Sequence, residues 1–160
     1  MTAEPAQLVA LEHAADALDL AAIPYALIGG LAVGVLTGVP RATMDVDLAV
    51  PSVAPRADLV AAMRSAGFVA TGSFPHSLNF RHGSGEPVQF AIDPEFDPMI
   101  ARAGSVTVGA RTIRVVQRAD LVTMKRRAAA DPARPRSKSF RDQADIELLL
   151  GDVSDPDEGW

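Results

Sequence analysis

The sequence predicts an α+β domain in which helices flank a mixed β-sheet. Three observations carry that expectation. Helix-like and strand-like segments alternate along the chain, and two pairs of short apolar runs are joined by glycine turns in the manner of hairpins. The 160 residues, 48% of them hydrophobic, also suffice for one core without disulfides or structural zinc. The domain is expected to occupy residues 1–151, with 152–160 as an acidic, frayed tail.

Leu8, Leu11, Ala15 and Leu18 recur three or four apart, which makes 6–20 an amphipathic helix. Residues 25–28 read as a short apolar strand. Gly29 and Gly30 then open a helix that runs to about Leu36 and is ended by Gly38, Val39 and Pro40. DVDLAV at 45–50 is a strand, 57–66 a helix closed by Gly67, and 68–71 a further strand. Residues 77–81 and 88–93 form neighbouring antiparallel strands across a Gly-Ser-Gly turn, and 106–108 with 112–116 make a smaller hairpin about Gly109. Helices follow at 120–130 and 141–150, separated by a proline- and arginine-rich loop at 131–139.

Composition removes several classes of function. With no cysteine, the chain has no disulfide framework, thiolate metal site or cysteine nucleophile. The first twenty residues carry Glu4, Glu12, Asp16 and Asp19 and no Lys or Arg, unlike a secretory leader, so the expected location is the cytoplasm. Residues 20–40 are uncharged for about the ~20 residues of a membrane span. Pro24, Gly29, Gly30, Gly34, Gly38 and Pro40 break that run into a strand and a short helix, so no membrane partner is expected.

Net charge is −5, yet the charges are segregated. Residues 101–141 hold eleven Lys and Arg against Asp120 and Asp131, a section of about +9 in an otherwise acidic chain. Such a section suits phosphates, nucleotide or RNA, and equally describes solvated faces.

Chemistry concentrates at two motifs. Asp45 and Asp47 stand two apart on a strand, so both side chains point one way about 7 Å apart along the chain. Adjacent acids repel unless protonated or bridged by a cation, and oxygen ligands of this kind suit Mg²⁺ or Mn²⁺. Exposed strand-end acids would show the same pattern. Gly29-Gly30 lies sixteen residues upstream, where strand passes to helix. Glycine admits a close ligand and the free amides of a helix start attract phosphate oxygens, although a tight turn uses the same pair. Taken together, one element would hold a triphosphate and the other the metals that neutralise it. Arg134 to Arg141 (RPRSKSFR) offers guanidinium forks for phosphate and Phe140 for a base, or else a solvated loop. His13, His76 and His82 lack metal-ligand spacing.

LIGGLAVGVLTGVPRATMDVDLAV resembles the core of the minimal nucleotidyltransferases of the DNA polymerase beta superfamily, in particular the AbiEii-type proteins that include type IV toxin-antitoxin toxins. The likeness extends to DLVTMKRRAA and RDQADIELLL, and so spans residues 26–150. It implies a nucleotidyltransferase-like fold and a metal-dependent transfer of a nucleoside monophosphate from a nucleoside triphosphate to an acceptor. It further implies Asp45 and Asp47 as catalytic metal ligands, and Gly29, Gly30, Arg41 and Thr43 as the nucleotide-binding stretch. Lys125 would contact phosphate, and Asp142 would belong to the same site. A toxin acting on tRNA or other RNA, paired with a cognate antitoxin, heads the implied functions. An antibiotic-modifying transferase ranks behind it, because an acceptor pocket usually needs an additional helical domain and little chain remains for one.

The residues support this in part. Lys125 lies among Leu121, Val122 and Met124, so its ammonium must snorkel outward or meet an anion. Asp142 could instead favour a helix dipole, and Asp145 one turn on is read as structural, paired with Arg141. One position departs from the family. Its third carboxylate aligns with Gln89 in VQFAID, where a neutral amide is a poor metal ligand and no base. Asp93 shares that face but lies about 13 Å along the strand. The alternatives are a slipped register with Asp93, substitution by Asp142, or a protein that binds nucleotide or a partner without turnover.

Overall fold

The computed structural model describes residues 5–39 and 45–151. Arg41, Thr43 and the expected acidic tail lie outside them. The chain runs α1 (Ala6–Leu20), β1 (Ala26–Ile28), α2 (Gly29–Thr37), β2 (Val46–Ala49), α3 (Arg56–Ser65), β3 (Val69–Phe74), β4 (Ser77–Arg81) and β5 (Pro87–Ala91). A 3-10 turn (Pro94–Phe96) leads into α4 (Asp97–Ala101), then β6 (Gly104–Val108), β7 (Arg111–Val115), α5 (Arg118–Ala130) and α6 (Arg136–Leu150).

The seven strands form one sheet in the order β3-β4-β5-β2-β1-β7-β6. It is mixed, as expected: β2 pairs parallel with β5 and β1 parallel with β7, while the other ladders are antiparallel. The interior strand β1 is buried at every residue, as happens where both faces of a sheet are covered. By contrast β4 and β5 alternate, burying Leu78, Phe80, Val88 and Phe90 and leaving Ser77, Asn79, Arg81, Pro87, Gln89 and Ala91 at least partly open. Phe80 and Phe90 meet edge to face with ring centres 5.6 Å apart, and α1 and α3 cover that apolar side.

On the opposite side α2, α5 and α6 pack together. One arginine ties them: Arg118 donates to the Leu36 carbonyl at the end of α2 and to the Leu149 carbonyl at the end of α6, each at 2.8 Å. These are C-terminal carbonyls without a helical partner of their own. The uncharged stretch at 20–40 is divided, as its glycines and prolines require, into the end of α1, β1 and a nine-residue α2. Among the described residues no helix is long and apolar enough to cross a membrane.

Several boundaries differ from the sequence expectation. The last helix begins at Arg136 rather than Arg141, so residues 136–139 of the expected 131–139 loop are helical. Pro135 is the reason: its ring holds φ at −53° and its carbonyl accepts from the amides of Lys138 and Ser139, both at 3.0 Å. The turn and α4 at 94–101 were not expected from the sequence; Asp93 caps the turn through Glu95 N, and Asp97 holds the Ser52 amide and hydroxyl at 2.8 and 2.6 Å. Strand β3 continues to Phe74 through Gly72, where its register with β4 shifts.

Candidate active site

The ladder between β1 and β2 sets Ile28 opposite Asp47, which brings the following residue, Gly29, against the Asp47 side chain. Gly29 has φ +75°, and a Cβ built there would meet the Asp47 carboxylate, standing 3.0 Å from its Cβ and 3.1 Å from its Cγ. Glycine is therefore required twice, by the left-handed backbone and by the lack of space. The glycine turn and the aspartate pair, separate motifs in the sequence, share one corner of the fold.

That corner opens into a cavity of about 340 Å³ lined by Gly29, Gly30, Asp45, Asp47, Gln89, Lys125, Arg134, Lys138, Arg141, Asp142 and Asp145. Its side chains are charged or polar, four acids facing four bases. A larger hollow of about 690 Å³ between α1 and α3 is lined chiefly by alanines with His13, Asp16 and Asp58, and holds none of the expected site residues. Chemistry rather than size identifies the smaller one.

Burial, followed by repulsion from Asp45, pushes the Asp47 carboxyl up to about 6, while Lys125 pulls it down. A divalent cation between the two acids would reverse that shift. Among the described residues no three carboxylates, imidazoles or thiols converge as a metal cage. Two carboxylates with room for water and phosphate oxygens nevertheless match how Mg²⁺ is commonly held, so the donor set fits a nucleotide-borne Mg²⁺ or Mn²⁺.

Gln89 stands directly beside Asp47 in the parallel β2–β5 ladder and lines the cavity. The register therefore sets a neutral amide, not a carboxylate, next to Asp47. Asp93 is elsewhere. It caps Glu95 N at 2.9 Å, lies 3.5 Å from His76 Nδ1, and is not among the cavity residues.

Lys125, near the middle of α5, points between two acids of α6: its Nζ is 3.3 Å from Asp142 Oδ1 and 3.1 Å from Asp145 Oδ2. Both acids are buried, and Asp142 also receives Arg134 through Nε at 2.5 Å and Nη2 at 3.1 Å. Asp142 is therefore inside the cavity but already bound by two cations, an arrangement that orients Lys125. Asp145, read from the sequence as structural, is buried against Lys125.

Of the basic stretch Arg134 to Arg141, which the sequence offers as phosphate forks or a solvated loop, Arg134, Lys138 and Arg141 line the cavity. The signal was present once the helix start is set at Arg136, since 138, 141, 142 and 145 then recur on one face. Phe140, by the same periodicity, lies on the far face with the Arg136 guanidinium 5.4 Å above its ring. Phe140 and the cavity bases therefore do not form one nucleic-acid surface.

The mixed sheet with a glycine turn beside paired acids defines a nucleotidyltransferase fold, and solved structures of that fold superpose on it. The antibiotic-resistance factor ANT(2'')-Ia in solution aligns with TM-score 0.69 and 20% identity over 91% of this chain and 84% of its own. The lincomycin-bound lincosamide antibiotic adenylyltransferase LnuA aligns at 0.66 and 15%, over 95% and 100%. An antigenic nucleotidyltransferase-like protein from Paracoccidioides brasiliensis aligns at 0.66 and 21%, over 89% and 74%. At such identities the likeness establishes the fold alone. The family follows from the sequence: the profile described as "Nucleotidyl transferase AbiEii toxin, Type IV TA system" matches residues 10–159, and the chain belongs to that family. No curated protein matches it in sequence.

Proposed function

We propose that the protein transfers a nucleoside monophosphate from a nucleoside triphosphate to an acceptor, RNA such as tRNA first, in a divalent-metal-dependent reaction. The observation that carries this reading is the contact of Gly29 with Asp47 in one cavity with Lys125. Asp45 and Asp47 would hold Mg²⁺ or Mn²⁺, which when bound neutralises the triphosphate and activates its α-phosphorus toward attack. Gly29 and Gly30 offer the backbone amides at the start of α2 to phosphate, with Arg41 and Thr43 expected beside them. Lys125, with Arg134, Lys138 and Arg141, draws the polyphosphate into the cavity and stabilises departing pyrophosphate. The acceptor oxygen bonds to the α-phosphorus, the bond to the β-phosphate bridge breaks, and pyrophosphate leaves with the electron pair. Since Gln89 is no base and Asp142 is doubly paired, the acceptor's proton goes to solvent water.

Membership of a family described as a type IV toxin supports reading the transferase as a toxin with a cognate antitoxin, acting in the cytoplasm. A second reading rests on Gln89: the fold and nucleotide site are retained without turnover. Incubating the protein with each α-labelled nucleoside triphosphate, Mg²⁺ or Mn²⁺ and total RNA separates the two. Metal-dependent label on RNA with pyrophosphate release supports the transferase. Silence, with a triphosphate-induced rise in melting temperature, supports the binding protein.

A further inference from the structure

The sheet face that carries Asp47 continues past the cavity as an uncovered surface. Across the ladders Asp47 sits beside Gln89, Gln89 beside Asn79, and Asn79 beside Gly72, one residue from each of β2, β5, β4 and β3. The row spans three strand spacings, about 14 Å. It ends under an aromatic ring: a Cβ on Gly72 would stand 2.8 Å from Cε2 of Phe74 and 3.6 Å from Asn79 Nδ2. Phe74 thus lies over the glycine next to the Asn79 amide. Aromatics do cover glycines at sheet edges, but here 53% of the residue remains exposed. The turn that follows is held still, because Arg56 donates to the Pro75 carbonyl at 2.6 Å and Ile92 N to the His76 carbonyl at 2.8 Å.

Resting on the transferase reading, we infer that this row is the acceptor platform and that its occupant is the end of a single-stranded nucleic acid. Phe74 stacks one base, and Asn79 and Gln89 meet base or sugar edges on the way to Asp47. Three features favour this chemistry over a protein or a single-ring compound. A water-exposed ring held flat against a sheet offers a π-face to any base. A side-chain amide supplies both a donor and an acceptor, as base edges do. The platform leads to the basic cavity wall of Arg134, Lys138 and Arg141, so phosphates meet positive charge at its Asp47 end. The length of the row also matches an extended chain rather than one ring.

The test uses the full chain and a short 5′-fluorescein single-stranded RNA with a free 3′ hydroxyl, read by anisotropy. Phe74→Ala is expected to weaken RNA binding about tenfold and Phe74→Trp to retain it, the loss reflecting base stacking. Asn79→Ala is expected to raise the KM for RNA more than it lowers kcat. The melting shift caused by nucleoside triphosphate with Mg²⁺ checks each variant for an intact fold and nucleotide site. Wild-type affinity in Phe74→Ala, no RNA binding by the wild type, or transfer to a protein or antibiotic indifferent to Phe74 would each overturn the platform. Phe74-dependent RNA binding with no triphosphate-induced shift would instead sink the transferase reading and leave the platform standing.

Discussion

Gly29 and Asp47 are in contact that only glycine permits, the one with φ +75° and the other with its carboxylate where a Cβ would be. The pair joins the phosphate-binding turn to the metal-binding strand in a single structural unit. Gly29→Ala should therefore damage both. The left-handed backbone alone costs about 1–2 kcal/mol for a residue with a Cβ, and displacing the carboxylate adds to it. Urea unfolding should show a loss of at least that size, and triphosphate binding should fall with it.

Asp47 titrates in a way that has an opposite sign with and without metal. Its carboxyl is pushed up to about 6 from 3.8, so its favourable contribution to the fold is complete below about pH 4 and is lost as pH rises through 6. At pH 7 the ionised group destabilises the metal-free protein. Asp47→Asn should then be more stable than the wild type by roughly 3 kcal/mol at pH 7 and equal to it near pH 4. In Mg²⁺ with nucleotide the order should reverse, since the amide cannot bridge the cation; melting curves across pH measure both.

Lys125 is the cation that two buried acids of α6 share. Lys125→Met should destabilise the fold by about 3 kcal/mol, because it leaves Asp145 and one side of Asp142 buried beside no lysine. Arg134→Ala should cost less, as Arg134 is about one-third exposed, yet it should weaken triphosphate binding by freeing Asp142 to turn on Lys125. Chemical denaturation with parallel nucleotide titrations separates the two effects.

Gln89 occupies the place beside Asp47 where a third acid would complete a metal site. Gln89→Asp should tighten Mn²⁺ binding and speed transfer to a hydroxyl acceptor, the reaction that most needs a base. Unchanged Mn²⁺ affinity in a folded variant would show that the position does not face the cation.

Much of the fold was legible because its signals are local. Gly29-Gly30, Gly38 and Gly67 mark ends of elements, and alternation in β4 and β5 marks a half-buried sheet. The site was legible where a motif is compact, at Asp45, Asp47 and the glycine turn. It was not legible where long-range packing decides. Asp145 looks like any acid one turn along an exposed helix until α5 presents Lys125 to it. Lys138 reads as a loop residue unless Pro135 is taken as the start of the helix. Gly72 and Phe74 carry no motif, and their neighbour Asn79 comes from another strand.

The most direct test of the account is isothermal calorimetry of nucleoside triphosphate with the wild type and with Asp45→Asn/Asp47→Asn, each in Mg²⁺ and in chelator. The account predicts saturable binding by the wild type in Mg²⁺ that disappears in chelator and in the double variant. Equal binding in all four conditions, or none in any, would contradict it.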